Sequence, residues 1–262
     1  MSKKMNYEPI HVLVIEDDPI QAKYIQGMFS SVEAEAFVIT IGNSLKAGID
    51  IIASARVDII LLDLMLPDSQ GLETFIKMYD HAPTIPIVVL SSLDDETPAV
   101  LAVQRGAQDY LIKGKIDVHT LVRSIRYSIE RKNTELALRE SERRYKELVD
   151  SLPITIFETD KRGNITFLNQ EAHKKFGYTR YDLEKGINIL QLIHPDDRSR
   201  AKMNFQQSIK DRNSDGLQYK AIRTDQRTIP VVIYSTPILD AQHSNKGLRG
   251  VVVDLSKLPP PR

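Results

Sequence analysis

The sequence contains no cysteine, and this absence excludes several kinds of chemistry at once. Disulfides, thiolate-bound metals and cysteine nucleophiles are all ruled out. The chain also lacks any apolar run near the roughly 18 residues that a membrane-spanning helix needs. Its start, Met1–Lys4, is followed by no apolar signal-peptide core. These absences predict a cytoplasmic protein that has no membrane partner.

The 262-residue chain has no net charge, but its charges are unevenly distributed. Residues 1–117 hold 9 Lys and Arg against 17 Asp and Glu, whereas residues 118–262 hold 26 against 18. The acidic half favours a metal site, and the basic half could dock an acidic partner. Basic residues in the second half are interleaved with acidic ones, which argues against a nucleic-acid-binding stripe. We therefore expect contact with nucleic acid to be absent or indirect.

Short apolar runs and helical stretches alternate along the first part of the chain. This order is typical of an α/β fold with a parallel sheet. With right-handed crossovers it predicts a doubly wound, five-stranded parallel sheet. The predicted strands are 11–15, 37–41, 59–63, 87–90 and 109–112, and the helices between them start near Pro19, Ser44, Leu72 and Pro98.

Charged and polar residues stand at the carboxyl ends of four of these strands. They are Glu16-Asp17-Asp18, Asp63, Ser91 and Lys113. In parallel α/β sheets, ligands bind in the crevice at this edge. The sequence therefore predicts one crevice that holds carboxylates, a hydroxyl and an ammonium, which suits a divalent metal and a phosphoryl group.

A Rossmann-type nucleotide site is the main alternative for a sheet of this kind. Such a site needs a Gly-rich turn after the first strand, where the helix N-terminus binds a pyrophosphate. Here that strand ends in carboxylates, which would repel a pyrophosphate. The alternative is therefore disfavoured.

Four segments resemble the receiver domain of two-component response regulators. They are 12–19 (VLVIEDDP), 59–67 (IILLDLMLP) with Gly71, 86–92 (PIVVLSS) and 106–113 (GAQDYLIK). Each motif is weak alone, but all four occur in order and at the expected strand ends. The similarity covers about residues 9–130, and we place the domain core at 9–117.

This resemblance implies that Asp63 is the nucleophile that accepts a phosphoryl group from a sensor histidine kinase. It implies a Mg²⁺ site made by Glu16, Asp17, Asp63 and the backbone carbonyl of Met65. Asp18 fits better as an acid at the start of the following helix.

The same resemblance assigns the remaining residues of the crevice. Lys113 would pair with the phosphoryl oxygens, and the Ser91 hydroxyl would turn inward to bond another of them. This movement would make room for Tyr110 to rotate inward as the conformational readout. No separate catalytic domain is expected, so the chain is not predicted to be an enzyme in its own right.

Two features depart from the family pattern or extend it. Gly114 stands where the family usually has a cis proline after the lysine, so the loop there is expected to be set differently. Apolar Met65 and Leu93 flank the predicted phosphorylation pocket. We hypothesise that they hinder an attacking water and lengthen the phosphoryl lifetime; a half-life of seconds at room temperature would contradict this.

Residues 118–150 contain no Gly or Pro and keep helical spacing of apolar residues. A helix of this length suggests a signalling linker or a two-stranded coiled coil. The apolar seam weakens at 131–134, which leaves open two helices with a break. A homodimer through this linker and the following domain is the favoured interpretation.

After Pro153 the apolar period changes to two, and four segments resemble a PAS domain. They are 141–149, 156–169, 176–178 and 193–197. We place the domain at 151–256, with a five-stranded antiparallel sheet in an α+β fold and a short tail at 257–262. The predicted strands are 154–159, 165–169, 217–223, 228–239 and 248–254.

The resemblance to PAS domains leaves the question of a ligand. Without cysteine, flavin adduct chemistry is excluded; haem would need His173 or His194. An unidentified small molecule is a further alternative, and a core filled by side chains, with no ligand, is the favoured interpretation. Its expected interior residues are Ile165, Phe167, Phe176, Ile189, Leu192, Tyr219 and Val231.

The sequence shows no helix-turn-helix, no kinase-like phosphoacceptor histidine and no Gly-rich ATP lid. The favoured interpretation is a response regulator that signals by protein–protein contact; a receiver–PAS order of this kind also resembles the FilR type of methanogenic archaea. One alternative is the amino-terminal part of a hybrid histidine kinase or diguanylate cyclase. Another is a DNA-binding transcription regulator without a standard helix-turn-helix.

Overall fold

The computed structural model describes residues 8–30, 36–92, 96–210 and 216–257. The chain divides into two compact units, with the boundary between Glu140 and Ser141. In the described ranges, no helix combines the length and the apolar character that crossing a membrane requires. The predicted Leu93 flank and the tail beyond residue 257 lie outside the described residues.

The first unit is built on the predicted parallel sheet, which is confirmed. Its main strands run in the order β2-β1-β3-β6-β7, and a two-stranded hairpin, β4 with β5, follows β3. The strands are β1 (Ile10–Ile15), β2 (Phe37–Gly42), β3 (Ile59–Asp63), β4 (Met65–Leu66), β5 (Ser69–Gln70), β6 (Ile87–Ser91) and β7 (Asp109–Ile112). The helices between them are α1 (Pro19–Ser30), α2 (Leu45–Ser54), α3 (Leu72–His81) and α4 (Glu96–Gln104).

Both faces of this sheet are covered by helices, which explains the continuous apolar runs. Every residue of β3 and β6 is buried, as expected for central strands of a parallel sheet. Alternate residues of β1 and β3 point to opposite faces. Leu13 and Leu62 pack with α2, α3 and α4, whereas Val14 and Leu61 pack with α1 and with the helix that follows β7.

That following helix, α5 (Val118–Ser151), is a single helix of 34 residues. The alternative of two helices broken at residues 131–134 is therefore wrong. Lys132 explains why: its side chain is only 2 % exposed, and its ammonium lies 5.5 Å from the centre of the Tyr79 ring on α3. Its aliphatic stem covers apolar surface as a hydrophobic residue would, so the seam continues through a residue that looks polar in the sequence.

The second unit has a five-stranded antiparallel sheet in the order β10-β11-β12-β8-β9. The strands are β8 (Thr155–Asp160), β9 (Ile165–Leu168), β10 (Leu217–Ile222), β11 (Thr228–Leu239) and β12 (Asn245–Asp254). Between β9 and β10 lie α6 (Gln170–Phe176), α7 (Arg180–Glu184), a 3₁₀ turn (Ile189–Leu192) and α8 (Pro195–Lys210), and a second 3₁₀ turn (Leu255–Lys257) follows β12. The predicted α+β fold is confirmed, although the 3₁₀ turns were not predicted.

One predicted interior residue of the second unit is wrong. Phe167 is half-buried and lies outside the core cluster, and its neighbour Leu168 takes that place. The register of β8 and β9 shifts between Glu158 and Thr159. A shift of one residue moves a side chain to the other face of a sheet, so Phe167 ends opposite Glu158. The other six predicted residues belong to the core or pack against it.

Candidate functional site

The carboxyl ends of β1, β3, β6 and β7 meet along one edge of the first unit's sheet. Asp63 is the last residue of β3 and pairs with Leu90 of β6, so Ser91 lies one residue beyond it. The backbone N–H of Lys113 donates to the Ser91 carbonyl at 2.7 Å. The fold thus brings together strand ends that are far apart in the sequence.

Lys113 bridges two buried carboxylates at this edge. Its Nζ lies 2.6 Å from Asp63 Oδ2 and 2.6 Å from Glu16 Oε2. The Lys113 side chain is 13 % exposed, and the two acids are nearly fully buried. Burial alone would lower the pKa of Lys113, but its contacts with Asp63 and Glu16 outweigh it and raise that pKa above the ordinary value. The lysine is therefore held as a cation between two acids.

Burial is the main cause that raises the pKa of Glu16, and the charge of Asp63 raises it further. The contact with Lys113 opposes both effects. The buried Glu16 Oε2 faces the Lys113 ammonium at 2.6 Å. A buried carboxylate oxygen is costly unless a cation completes its surroundings, and here Lys113 supplies that cation.

These acids form a cluster that could hold a metal ion. One oxygen from each of Glu16, Asp17 and Asp63 lies within 4.8 Å of the others. Hard oxygen ligands of this kind suit Mg²⁺, which keeps several waters and takes few protein carboxylates. Asp17 is exposed while its two neighbours are buried, which leaves one side of the cluster open to solvent. The residues present therefore fit a divalent cation.

Two further residues lie next to the cluster, and the role of the Met65 carbonyl as a metal ligand stays a prediction. The Met65 N–H donates to Asp63 Oδ1 at 3.1 Å, and the Met65 side chain is exposed. Asp18 stands at the start of α1, where its Oδ1 accepts the N–H of Ile20 at 2.8 Å. Asp18 is therefore a helix N-terminal acid, as expected.

Ser91 and Tyr110 lie beside the cluster on β6 and β7. The buried Ser91 hydroxyl donates to the carbonyl of Ser92 at 3.1 Å. Tyr110 is half-buried and packs against the core on the side of α2, α3 and α4. Their proposed roles as hydroxyl switch and readout stay predictions.

The loop after Lys113 is set by Gly114, which has a φ of 79°. Proline is locked near −65° and cannot adopt this conformation. The loop therefore differs from one that carries proline at this position, as expected from the sequence.

Sequence reasoning did not identify the contacts that hold the chain after Asp63. The Leu64 carbonyl accepts both the Gly71 N–H at 2.8 Å and the buried Thr74 hydroxyl at 3.0 Å. Asp68, at the tip of the β4–β5 hairpin, accepts backbone N–H groups at the start of α2. The partners of Asp68 lie 22 and 23 residues earlier in the chain. The local sequence therefore indicates only an acid after Pro67 in a turn and does not reveal what that acid binds.

The second unit contains two small cavities between its sheet and helices. Their volumes are about 50 and 30 Å³, and their walls are mostly apolar, with Phe157 and Ile233 shared by both. Neither His173 nor His194 lines them. The His173 Nδ1 lies 2.5 Å from the Tyr178 carbonyl oxygen.

Comparison with known proteins gives two family matches. The family model of the response regulator receiver domain matches residues 12–126, and that of the PAS fold matches residues 143–255. Among curated relatives, the response regulator ArlR of Staphylococcus epidermidis is 31% identical over 121 residues, 46% of this chain and 53% of that protein. The nitrate/nitrite response regulator protein NarL of Escherichia coli is 34% identical over 108 residues, 41% of this chain and 50% of that protein. The chain spans about half the length of such relatives.

Solved structures resemble each unit separately. A response regulator receiver domain protein from Clostridium thermocellum covers 48% of this chain and 98% of its own, at 23% identity and a TM-score of 0.43. A PAS domain from Colwellia psychrerythraea covers 44% of this chain and 98% of its own, at 17% identity and a TM-score of 0.41. The family assignment depends on the family models instead. Residues 12–126 form a response regulator receiver domain and residues 143–255 a PAS domain, and α5 joins them.

Proposed function

We propose that this protein acts in a two-component phosphorelay and that a sensor histidine kinase phosphorylates it on Asp63. The observation that carries this proposal is the Lys113 ammonium held 2.6 Å from both Asp63 and Glu16. A simple structural ion pair needs one acid, whereas a phosphoryl site needs a nucleophile, a cation and further acids for a metal.

The chemical step is an in-line phosphoryl transfer. A carboxylate oxygen of Asp63 attacks the phosphorus of a phosphohistidine, and a new P–O bond forms as the P–N bond breaks. The electron pair of the broken bond leaves with the imidazole. The product is an acyl phosphate on Asp63.

Charge neutralisation is the main task of the surrounding residues, because an anion attacks an anionic donor. Glu16, Asp17, Asp63 and the Met65 carbonyl would hold Mg²⁺, which offsets that charge when bound. Lys113 pairs with a phosphoryl oxygen, and the Ser91 hydroxyl donates to another. Tyr110 then moves inward as the readout.

The signal then passes along α5 to the PAS domain, which acts as an interaction module in a homodimer. Support comes from three exposed apolar residues at seven-residue spacing, two on α5 and one directly after its last residue. They are Leu138, Tyr145 and Leu152, with exposures of 60%, 51% and 42%. A stripe with this period is typical of a two-stranded coiled coil.

The test is phosphorylation with acetyl phosphate and Mg²⁺, read by phosphate-affinity electrophoresis and intact mass, with light scattering for the oligomeric state. We expect uptake of one phosphoryl group by the wild type and none by Asp63→Ala. Asp58→Asn is the matched control. Asp58 lies just before β3, at the end of the strand opposite Asp63, and its carboxylate accepts the His11 N–H. Uptake by Asp63→Ala would show that the site is wrong, and no uptake by the wild type would contradict the function.

A further inference from the structure

The start of α2 is tied to the chain that follows Asp63. The first N–H groups of any helix lack partners within the helix. In α2, Ser44 accepts the Ala47 N–H at 3.1 Å. The N–H groups of Leu45 and Lys46 each donate to one oxygen of Asp68, both at 2.9 Å. One carboxylate therefore closes two open donors, at a helix end whose dipole favours an anion.

Asp68 sits at the tip of a short, fixed hairpin. Met65 pairs with Gln70 and Leu66 with Ser69, so residues 67–68 form the turn. The base of this hairpin is held by the Leu64 carbonyl, which accepts from Gly71 and Thr74. The strand pairing and the Leu64 carbonyl hold the base of the hairpin. Among the described contacts, those of Asp68 with the start of α2 hold its tip.

The same β2–α2 corner also holds the acidic loop after β1. The Glu16 N–H donates to the Gly42 carbonyl at 3.0 Å, and Gly42 ends β2 just before α2. Residues 42–46 thus contact two segments of the site. One is the loop after β1, which carries Glu16, and the other is the hairpin that carries Met65, whose N–H donates to Asp63.

We propose that Asp68 is a positioning residue for the metal-dependent phosphorylation of Asp63, because it fastens the hairpin that carries Met65 to the corner that holds Glu16. This inference rests on the proposed function. Without the anchor, the hairpin can pivot about its base, and the Met65 carbonyl and Asp63 lose their alignment with Glu16. Metal binding weakens first, since the ligands must converge on one point.

The test compares Asp68→Ala with Ser44→Ala, and Asp68→Asn serves as the conservative variant. Both alanine variants remove a cap from the same end of α2, but only Asp68→Ala frees the hairpin. Binding of Mn²⁺, used as a probe for Mg²⁺, is measured on the full chain by electron paramagnetic resonance of the free ion. The Mg²⁺ concentration that gives half-maximal uptake from acetyl phosphate is measured in parallel.

We expect Asp68→Ala to weaken Mn²⁺ binding and to raise the half-maximal Mg²⁺ about tenfold. Uptake at saturating Mg²⁺ should stay close to that of the wild type. For both metal measurements, Asp68→Asn should lie between the wild type and Asp68→Ala, because its amide keeps one acceptor oxygen. Ser44→Ala should lower thermal stability without changing either metal measurement.

Equal metal effects in Ser44→Ala and Asp68→Ala would overturn the proposal, because helix stability alone would then explain them. Unchanged Mn²⁺ binding in Asp68→Ala would overturn it as well. Failure of the proposed function has a different signature. In that case the wild type takes up no phosphate at any Mg²⁺ concentration, whereas the Mn²⁺ comparison can still be made.

Discussion

Two buried polar sites, one in each unit, complete their contacts in different ways. In the receiver unit, buried Glu16 and Asp63 share one ammonium, that of Lys113. In the PAS unit, Asn169 is fully buried and its side chain makes four hydrogen bonds. The first arrangement is charged, and the second is neutral with its side-chain donors and acceptor fully used. A buried cluster of charges indicates a reactive site, whereas a neutral group with every hydrogen bond made indicates a structural one.

Asn169 links four pieces of backbone, which explains why it is satisfied. Its amide donates to the carbonyls of Val149, near the end of α5, and Ile154. Its Oδ1 accepts the N–H groups of Ile156 in β8 and Ala172 in α6. This residue fastens the end of α5 to the PAS sheet and has no capacity left for a ligand.

The largest expected effect comes from removing this neutral link. Asn169→Ala leaves four backbone groups without their partner, so we expect a loss of about 4 kcal/mol in the PAS unit. Hydrogen exchange of peptides from β8 and α6 measures it. Asn204→Ala is the control, because Asn204 donates a single half-buried bond to Tyr219 and should cost about 1 kcal/mol. Equal losses in the two variants would contradict the role of Asn169 as a fourfold link between backbone segments.

A smaller effect is expected when the charged cluster loses its cation. Lys113→Met leaves Glu16 and Asp63 facing each other, so the receiver unit should lose about 3 kcal/mol without metal. Added Mg²⁺ should restore much of this loss, whereas Asn169→Ala should not respond to Mg²⁺. Hydrogen exchange of peptides from β3 and β7 with and without Mg²⁺ provides the measurement.

The same variant gives a pH dependence with a defined sign. The pKa of Lys113 is raised in the folded protein, so its contribution is fully present below the ordinary lysine value of 10.5 and is lost as the pH rises through the folded pKa. The wild type should therefore approach Lys113→Met above about pH 10.5. A difference that stays constant up to the highest pH would argue against the bridging role.

The smallest expected effects come from two glycines with matching geometry, one in each unit. Gly114 and Gly186 have φ values of 79° and 83°, and an added Cβ would meet nothing within 4 Å at either. Alanine at either position should cost about 1 kcal/mol. Only Gly114→Ala, next to Lys113, should also slow phosphate uptake. Slowed uptake in both variants would mean that general destabilisation is the cause.

The receiver sheet was predictable because four of its five strands are apolar runs that lead to a charged or polar residue. The run 59–62 before Asp63 leaves little choice of strand, face or end. The PAS sheet was harder to predict. The shift between Glu158 and Thr159 that turns Leu168 inward instead of Phe167 depends on pairing between strands. Nothing in the sequence near Phe167 indicates it.

Residues of the site were predicted by their type, but their mutual contacts were not. Lys113 was expected to meet a phosphoryl oxygen, and the structure shows it bridging Glu16 and Asp63. Asp68 was missed because its partners are backbone groups far away in the sequence. Lys132 was misread because a buried lysine and a solvated one look alike in a sequence.

The bridging ammonium of Lys113 has a consequence for how the receiver unit folds. Two buried acids normally oppose folding through their mutual repulsion. Lys113 arrives from the last strand of the sheet and supplies the counter-charge from within the chain. The receiver unit therefore carries within its own sheet the counter-charge that these buried acids need for folding.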